Sequence, residues 1–183
     1  AVSLGTDKDD IIKKALKGIG EKSNTAMTPL YEWALNTTDV FPERDVEKAI
    51  QLIESAGYTK NSDGMYFSAT IDVFNVEPFT DIATILKDNL KDIGVDVKIN
   101  MMEEAAWDEK VWYGRNYDFS LLAGYQGPDP GALAPRFSTD GLINLMGYSN
   151  SKVDEALKKG GSLVKQEERA PYYQEAQKYI VED

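Results

Sequence analysis

Tyr125, Gln126, Asp129 and Arg136 are the side chains of this chain whose types and spacing best suit holding a small molecule. They cluster around Gly124-Tyr125-Gln126-Gly127-Pro128-Asp129-Pro130-Gly131, where glycine and proline forbid a regular element. A tyrosine ring can stack on a ligand while its hydroxyl bonds to backbone. A glutamine can donate and accept at once. Asp129 could offer a carboxylate, or bond its own backbone as a turn former. Arg136 could clamp a ligand carboxylate in a fork. The composition favours a plainer role, an ion pair with one of the 31 acidic residues. Other acids promise less. Glu103 and Glu104 are neighbours and would not face each other on a helix, so a solvated helix start is the better account. Asp63-Gly64 lacks the spaced ligands of a calcium loop and reads as a turn. A hydrolase would need two carboxylates roughly 5–9.5 Å apart in a cleft. No motif supplies such a pair, and Asp129 and Asp140 would be the residues to test.

What the chain lacks excludes more. It has no Cys and no His, which removes thiolate nucleophiles, Ser–His and Cys–His catalysis, disulfides, and imidazole or thiolate metal sites. No catalytic group, metal site or cofactor is expected. Twenty basic against 31 acidic residues give a net charge of −11. That balance argues against a nucleic-acid partner, whose phosphates need clustered Lys and Arg, and against an anionic membrane surface. No apolar run reaches the ~20 residues of a membrane span. Ala1 to Asp10 are polar and acidic, without the pattern of a secretion signal.

The elements that must position these residues follow from period. Length suits one domain, 183 residues with 42% hydrophobic composition. Thr6 to Asp9 suggests a capping box, with Thr6 accepting from the first turn of a helix that carries Ile11, Ile12, Ala15 and Leu16. A loop follows, with one helical turn around Tyr31 to Leu35. Val46, Ala49, Ile50, Ile53 and Ala56 share a helical face, closed by Gly57. Asn61 to Gly64 signals a tight hairpin turn. Phe67, Ala69, Ile71 and Val73 alternate with Ser68, Thr70 and Asp72 as a strand does. The strongest helix follows Pro78, with Phe79, Ile82, Ala83, Leu86, Leu90 and Ile93 on one face, and Gly94 ends it. Val95 to Met101 alternate again. Strand, helix, strand predicts a parallel pair with a right-handed crossover. A helix is expected over Glu103 to Tyr113, with Trp107 and Trp112 as packing residues. Tyr117 to Tyr125 reads as a strand buried on both faces. Ligands in open α/β sheets bind beyond the carboxyl ends of strands, which places the Tyr125 loop where a site belongs. Two helices close the chain, Ser151 to Lys159 and another carrying Tyr173, Ala176, Gln177 and Ile180. The expected fold is a single α/β lobe over residues 1–183, a small, mainly parallel sheet flanked by helices.

In order and spacing, several motifs resemble a known family. Asp7-Lys8-Asp9-Asp10-Ile11-Ile12, Asp45 to Tyr58, Leu86 to Ile99, Glu104 to Asp118, Gly147-Tyr148-Ser149-Asn150 with Val153-Asp154, and Tyr172 to Gln177 resemble the C-terminal lobe of family 5 solute-binding proteins of ABC importers, the peptide/nickel type. The resemblance implies a type II periplasmic-binding-protein lobe. It implies a two-lobed extracytoplasmic receptor, in the periplasm or at the cell surface, that closes on a solute and delivers it to ABC permease subunits. Oligopeptides are the expected solute, with oligosaccharides or other solutes as alternatives. An N-terminal lobe with a lipid anchor is expected before Ala1, and a returning segment after Asp183.

For the site, the resemblance implies that the Tyr125 loop faces the cleft. Peptide-binding members carry an Asp directly after the second glycine, and it holds the peptide α-ammonium through charge-assisted hydrogen bonds. Here Pro128 stands there, and Asp129 matches the later Asp of the pattern. Ligand-binding roles are therefore expected for Tyr125, Gln126, Asp129 and Arg136, with Asp129 either taking the amine-binding role or forming the turn. Trp33 is expected as an exposed apolar residue facing the other lobe, and Asn144 and Tyr148 near the hinge.

Overall fold

A computed structural model describes residues 1–183. The chain forms two compact units, each built from two stretches of sequence. The first comprises Ala1–Lys22 and Pro42–Leu122, the second Ser23–Phe41 and Ala123–Asp183.

In the first unit, β1 (Phe67–Phe74), α4 (Phe79–Asp92) and β2 (Val95–Met102) form the expected parallel crossover. The strands pair from Phe67 opposite Val95 to Phe74 opposite Met102. The alternating apolar residues meet the α4 stripe: Ile71, Val73, Val95, Val97, Ala83, Leu90 and Ile93 share one core, joined by Ala49 and Ile53 of α3 (Val46–Ser55). Asp45 caps α3 by accepting from the Lys48 N–H at 2.9 Å. Gly94 makes the step from α4 to β2 possible. Its φ of +78° lies in the left-handed region, and an added Cβ would lie 2.6 Å from the Tyr66 ring.

Four local expectations are corrected. The short α1 (Val2–Gly5) precedes α2 (Lys8–Lys14), and Asp7, not Thr6, caps α2 through the Asp10 N–H at 2.9 Å. The Thr6 hydroxyl instead donates back to the Val2 carbonyl, which holds it away from the α2 amides. Asn61 to Gly64 is a turn held by the Asn61 side chain, which accepts from Asp63 and Met65 N–H. No strand precedes it, so no hairpin forms. The expected helix after Glu103 starts as α5 (Glu104–Trp107) and then widens into a π-helix, Asp108–Tyr113. The wider turn buries both Trp107 and Val111 while Lys110 also turns inward. Glu103 and Glu104 are exposed.

The long buried strand expected over Tyr117 to Tyr125 shrinks to β3 (Phe119–Ser120). It pairs in parallel with β1 only at Ile71 and Asp72, giving the order β2-β1-β3. On one side of this pairing the Asp118 carboxylate takes the Thr70 N–H that a ladder would use. On the other side the chain leaves the sheet, and Leu122 and Tyr125 are exposed.

The second unit has no sheet. A 3-10 helix, Pro29–Ala34, supplies the helical turn expected near Tyr31. Another, Pro130–Leu133, leads into α6 (Ala134–Phe137). The long helices α7 (Ser151–Ser162) and α8 (Gln166–Glu182) pack together. Val153, Ala156, Leu157, Tyr173, Ala176 and Ile180 form the core with Met27, Tyr31, Ala34 and Leu133. Buried Gln177 satisfies itself within this core. Its amide donates to the Ala34 and Tyr173 carbonyls at 2.8 Å and its oxygen accepts from the Asn36 N–H.

Candidate functional site

The four residues singled out by sequence lie in one hydrogen-bonded assembly of the second unit. Gly127, at φ +91°, allows the bend that no other residue type adopts readily. Tyr31 donates its hydroxyl to the Gly127 carbonyl and so ties the bend to the first 3-10 helix. Gln126 fastens it again: its oxygen accepts from the Thr28 N–H at 2.8 Å and its amide donates to the Ala26 carbonyl at 3.2 Å. Arg136 spans the outside of the bend, donating to the Tyr125 carbonyl at 3.2 Å and to the Ala132 carbonyl at 2.8 Å. It makes no ion pair with a carboxylate of this chain. Tyr125 itself stands out, 75% exposed.

Asp129 turns toward α8 and stays half-exposed. One oxygen accepts from the Gly131 N–H at 2.8 Å and so caps the second 3-10 helix, as the turn-former expectation holds. Both oxygens also receive a guanidinium fork from Arg169, at 2.6 and 2.8 Å. Sequence reasoning missed Arg169. It sits one turn before Tyr173, whose hydroxyl it also reaches at 2.7 Å, and its Nε donates to the Gly160 carbonyl at 2.9 Å. The only signal was spacing: Arg169 and Tyr173 are four apart on α8 and share a face. The guanidinium beside Asp129 holds that carboxyl below the usual carboxylate range, and the fork in turn raises Arg169. Burial raises the Tyr173 hydroxyl. With both oxygens engaged, Asp129 would have to surrender the fork to receive an incoming ammonium.

Trp33 is half-buried, contrary to the exposed ring expected. Tyr173 meets it edge-on at 6.0 Å, and the Arg169 guanidinium lies 5.4 Å from its centre. Buried Asn144 staples its own loop, donating to the Ser138 and Tyr148 carbonyls and accepting from the Tyr148 N–H. The Tyr148 hydroxyl donates to Asp183 at 2.5 Å.

The bend therefore combines a firmly held backbone with an outward ring. None of the N–H groups from Ala123 to Gly127 bonds another backbone group. Such a surface can offer backbone donors and an aromatic face to a solute laid against it.

Comparison with known proteins agrees with this architecture. Residues 1–142 match the model of the bacterial extracellular solute-binding proteins, family 5, middle region. The chain belongs to that family. Its fold is a type II periplasmic-binding-protein fold, built on the small parallel sheet flanked by helices. It is 25% identical over 197 residues to the oligopeptide-binding protein AppA of Bacillus subtilis, a match covering 100% of this chain and 36% of that protein. Heme-binding protein A of Haemophilus influenzae is 27% identical over 181 residues, covering 97% of this chain and 33% of the relative. Among solved structures, the periplasmic binding protein DppA of Helicobacter pylori in complex with the peptide STSA superimposes with a TM-score of 0.86 at 26% identity, over 98% of this chain and 35% of that one. The chain thus spans about a third of the length of the curated relatives it matches. No helix is long and apolar enough to cross a membrane.

Proposed function

We propose that this chain is one part of a longer extracytoplasmic receptor that captures an oligopeptide for an ABC importer. The remainder of the receptor forms a facing lobe, and a lipid anchor upstream keeps the assembly at the membrane. Capture works by closure, driven by tighter solute binding in the closed state. The released solute passes to the permease subunits. No step needs a catalytic group, and we assign none.

The observation that carries this reading is the Tyr125 bend, an exposed ring on a braced loop with unbonded backbone N–H groups. In the proposed site Tyr125 touches the solute, while Gln126 and Asp129 hold the loop in shape. The relative named for oligopeptides and the peptide-bound DppA support an oligopeptide. A different solute of the same family is the second reading. It is favoured by the commitment of Asp129 to Arg169, and one relative is named for heme.

Titration calorimetry on the full-length protein with short oligopeptides tests the proposal. Tyr125→Ala is expected to weaken binding about tenfold or more, as loss of an aromatic anchor does. The thermal midpoint should not move, because the ring packs against little. Unchanged affinity would remove the bend from the capture surface.

A further inference from the structure

Arg136 is a cation without a counter-ion in an acidic chain. The net charge is −11, and Arg44 and Arg169 each hold a carboxylate at 2.7 and 2.6 Å. Half-buried Arg136 instead meets two neutral carbonyls, those of Ala132 and Tyr125. Carbonyls orient a guanidinium without neutralising it. Of its five N–H donors, these bonds use two, one each on Nη1 and Nη2, and Nε stays unused. The one carboxylate on the same loop, Asp129, is already neutralised by Arg169. The loop thus presents net positive charge next to the exposed Tyr125 ring.

We infer that Arg136 and Tyr125 form a subsite for a carboxylate of the solute. This rests on the capture reading above and sharpens it: the peptide's carboxylate, not its α-ammonium, is the charged group recognised at this bend. Arg136 supplies a two-pronged, charge-assisted contact, and the Tyr125 ring covers the neighbouring backbone. Two sources supply such a carboxylate, the peptide C-terminus and an Asp or Glu side chain.

An equimolar library of random tetrapeptides in free, N-acetylated, C-amidated and doubly blocked forms separates these cases. The full-length protein is incubated with it, and retained peptides are identified by mass spectrometry. Free and N-acetylated acids should be retained alike. C-amides should be depleted about tenfold or more. If the carboxylate comes from a side chain, the retained amides should instead be enriched in Asp and Glu. Arg136→Gln should abolish either preference, and Arg136→Lys should keep part of it. Thermal melts of both variants confirm folding, and should Arg136→Gln not fold, Arg136→Lys alone decides, by a weakened preference. Depletion of N-acetylated forms, or a preference for acids that survives in the variants, overturns the carboxylate subsite and leaves the peptide reading standing. Retention of no peptide at all overturns both.

Discussion

Replacing Asp72 by alanine should destabilise the protein by about 3 kcal/mol, a substantial share of the margin of a typical domain. Asp72 lies in the middle strand β1 and is 0% exposed. Its carboxylate receives the Lys110 ammonium at 2.7 Å on both oxygens and the Asn100 amide at 2.6 Å. Its carbonyl accepts from the Ser120 hydroxyl at 2.7 Å and the Trp107 indole N–H at 3.3 Å. One residue therefore joins β1, β2, the π-helix and β3. Alanine leaves a half-buried cation and amide without their acceptor, and removing one partner of a largely buried pair costs more than the pair contributes. Urea unfolding checks this. A double variant, Asp72→Leu with Lys110→Met, should recover much of the loss, because it removes both charges together. A loss below about 1 kcal/mol for Asp72→Ala would show that the cluster is a solvated surface pair instead.

Arg169→Ala should cost about 2–3 kcal/mol at neutral pH, less than a fully buried pair because the Asp129 side chain keeps 44% of its exposure. The loss combines the fork to Asp129, the bonds to Tyr173 and Gly160, and stacking against Trp33. The pH dependence identifies the fork. Asp129 titrates below its ordinary value of 3.8 in the folded chain, so its stabilisation is full above that value and drains away as pH falls through the lower, folded one. Arg169 is raised instead, and its share would be lost only in strong alkali. The gap between wild type and Arg169→Ala should therefore be widest near neutrality and narrow below about pH 4. A gap that ignores pH would assign the loss to packing alone.

Both clusters show where reading the chain from sequence stops. The crossover of β1, α4 and β2 was legible because its apolar residues keep a period of two, then of three and four, then of two. The closing helices were legible for the same reason. Asp72 was not: it occupies a polar position of an alternating strand and so reads as solvent-facing, yet the π-helix covers that face. The π-helix itself has no signature in period, since Trp107 and Val111 at i and i+4 read as ordinary α-helix. Tyr117 to Tyr125 misled in the other direction. An apolar run suggests a doubly buried strand, but only Phe119 and Ser120 find a partner in β1.

The bend was legible in position, but the roles of its side chains were not. Glycine and proline marked the bend, and the chosen residues do surround it. What separates them is which way each side chain turns, and that is set by distant partners: Arg169 for Asp129, Thr28 and Ala26 for Gln126. Spacing along the chain carries no trace of pairings 40 to 100 residues apart.

Hydrogen exchange on the full-length protein, with and without a peptide retained from the tetrapeptide library, tests the central claim most directly. Amides from Ala123 to Gly127 lack backbone partners and should exchange quickly in the free protein, then slow about tenfold or more when solute is bound. Protection that appears only elsewhere, with these amides unchanged, would contradict the assignment of this bend as the capture surface.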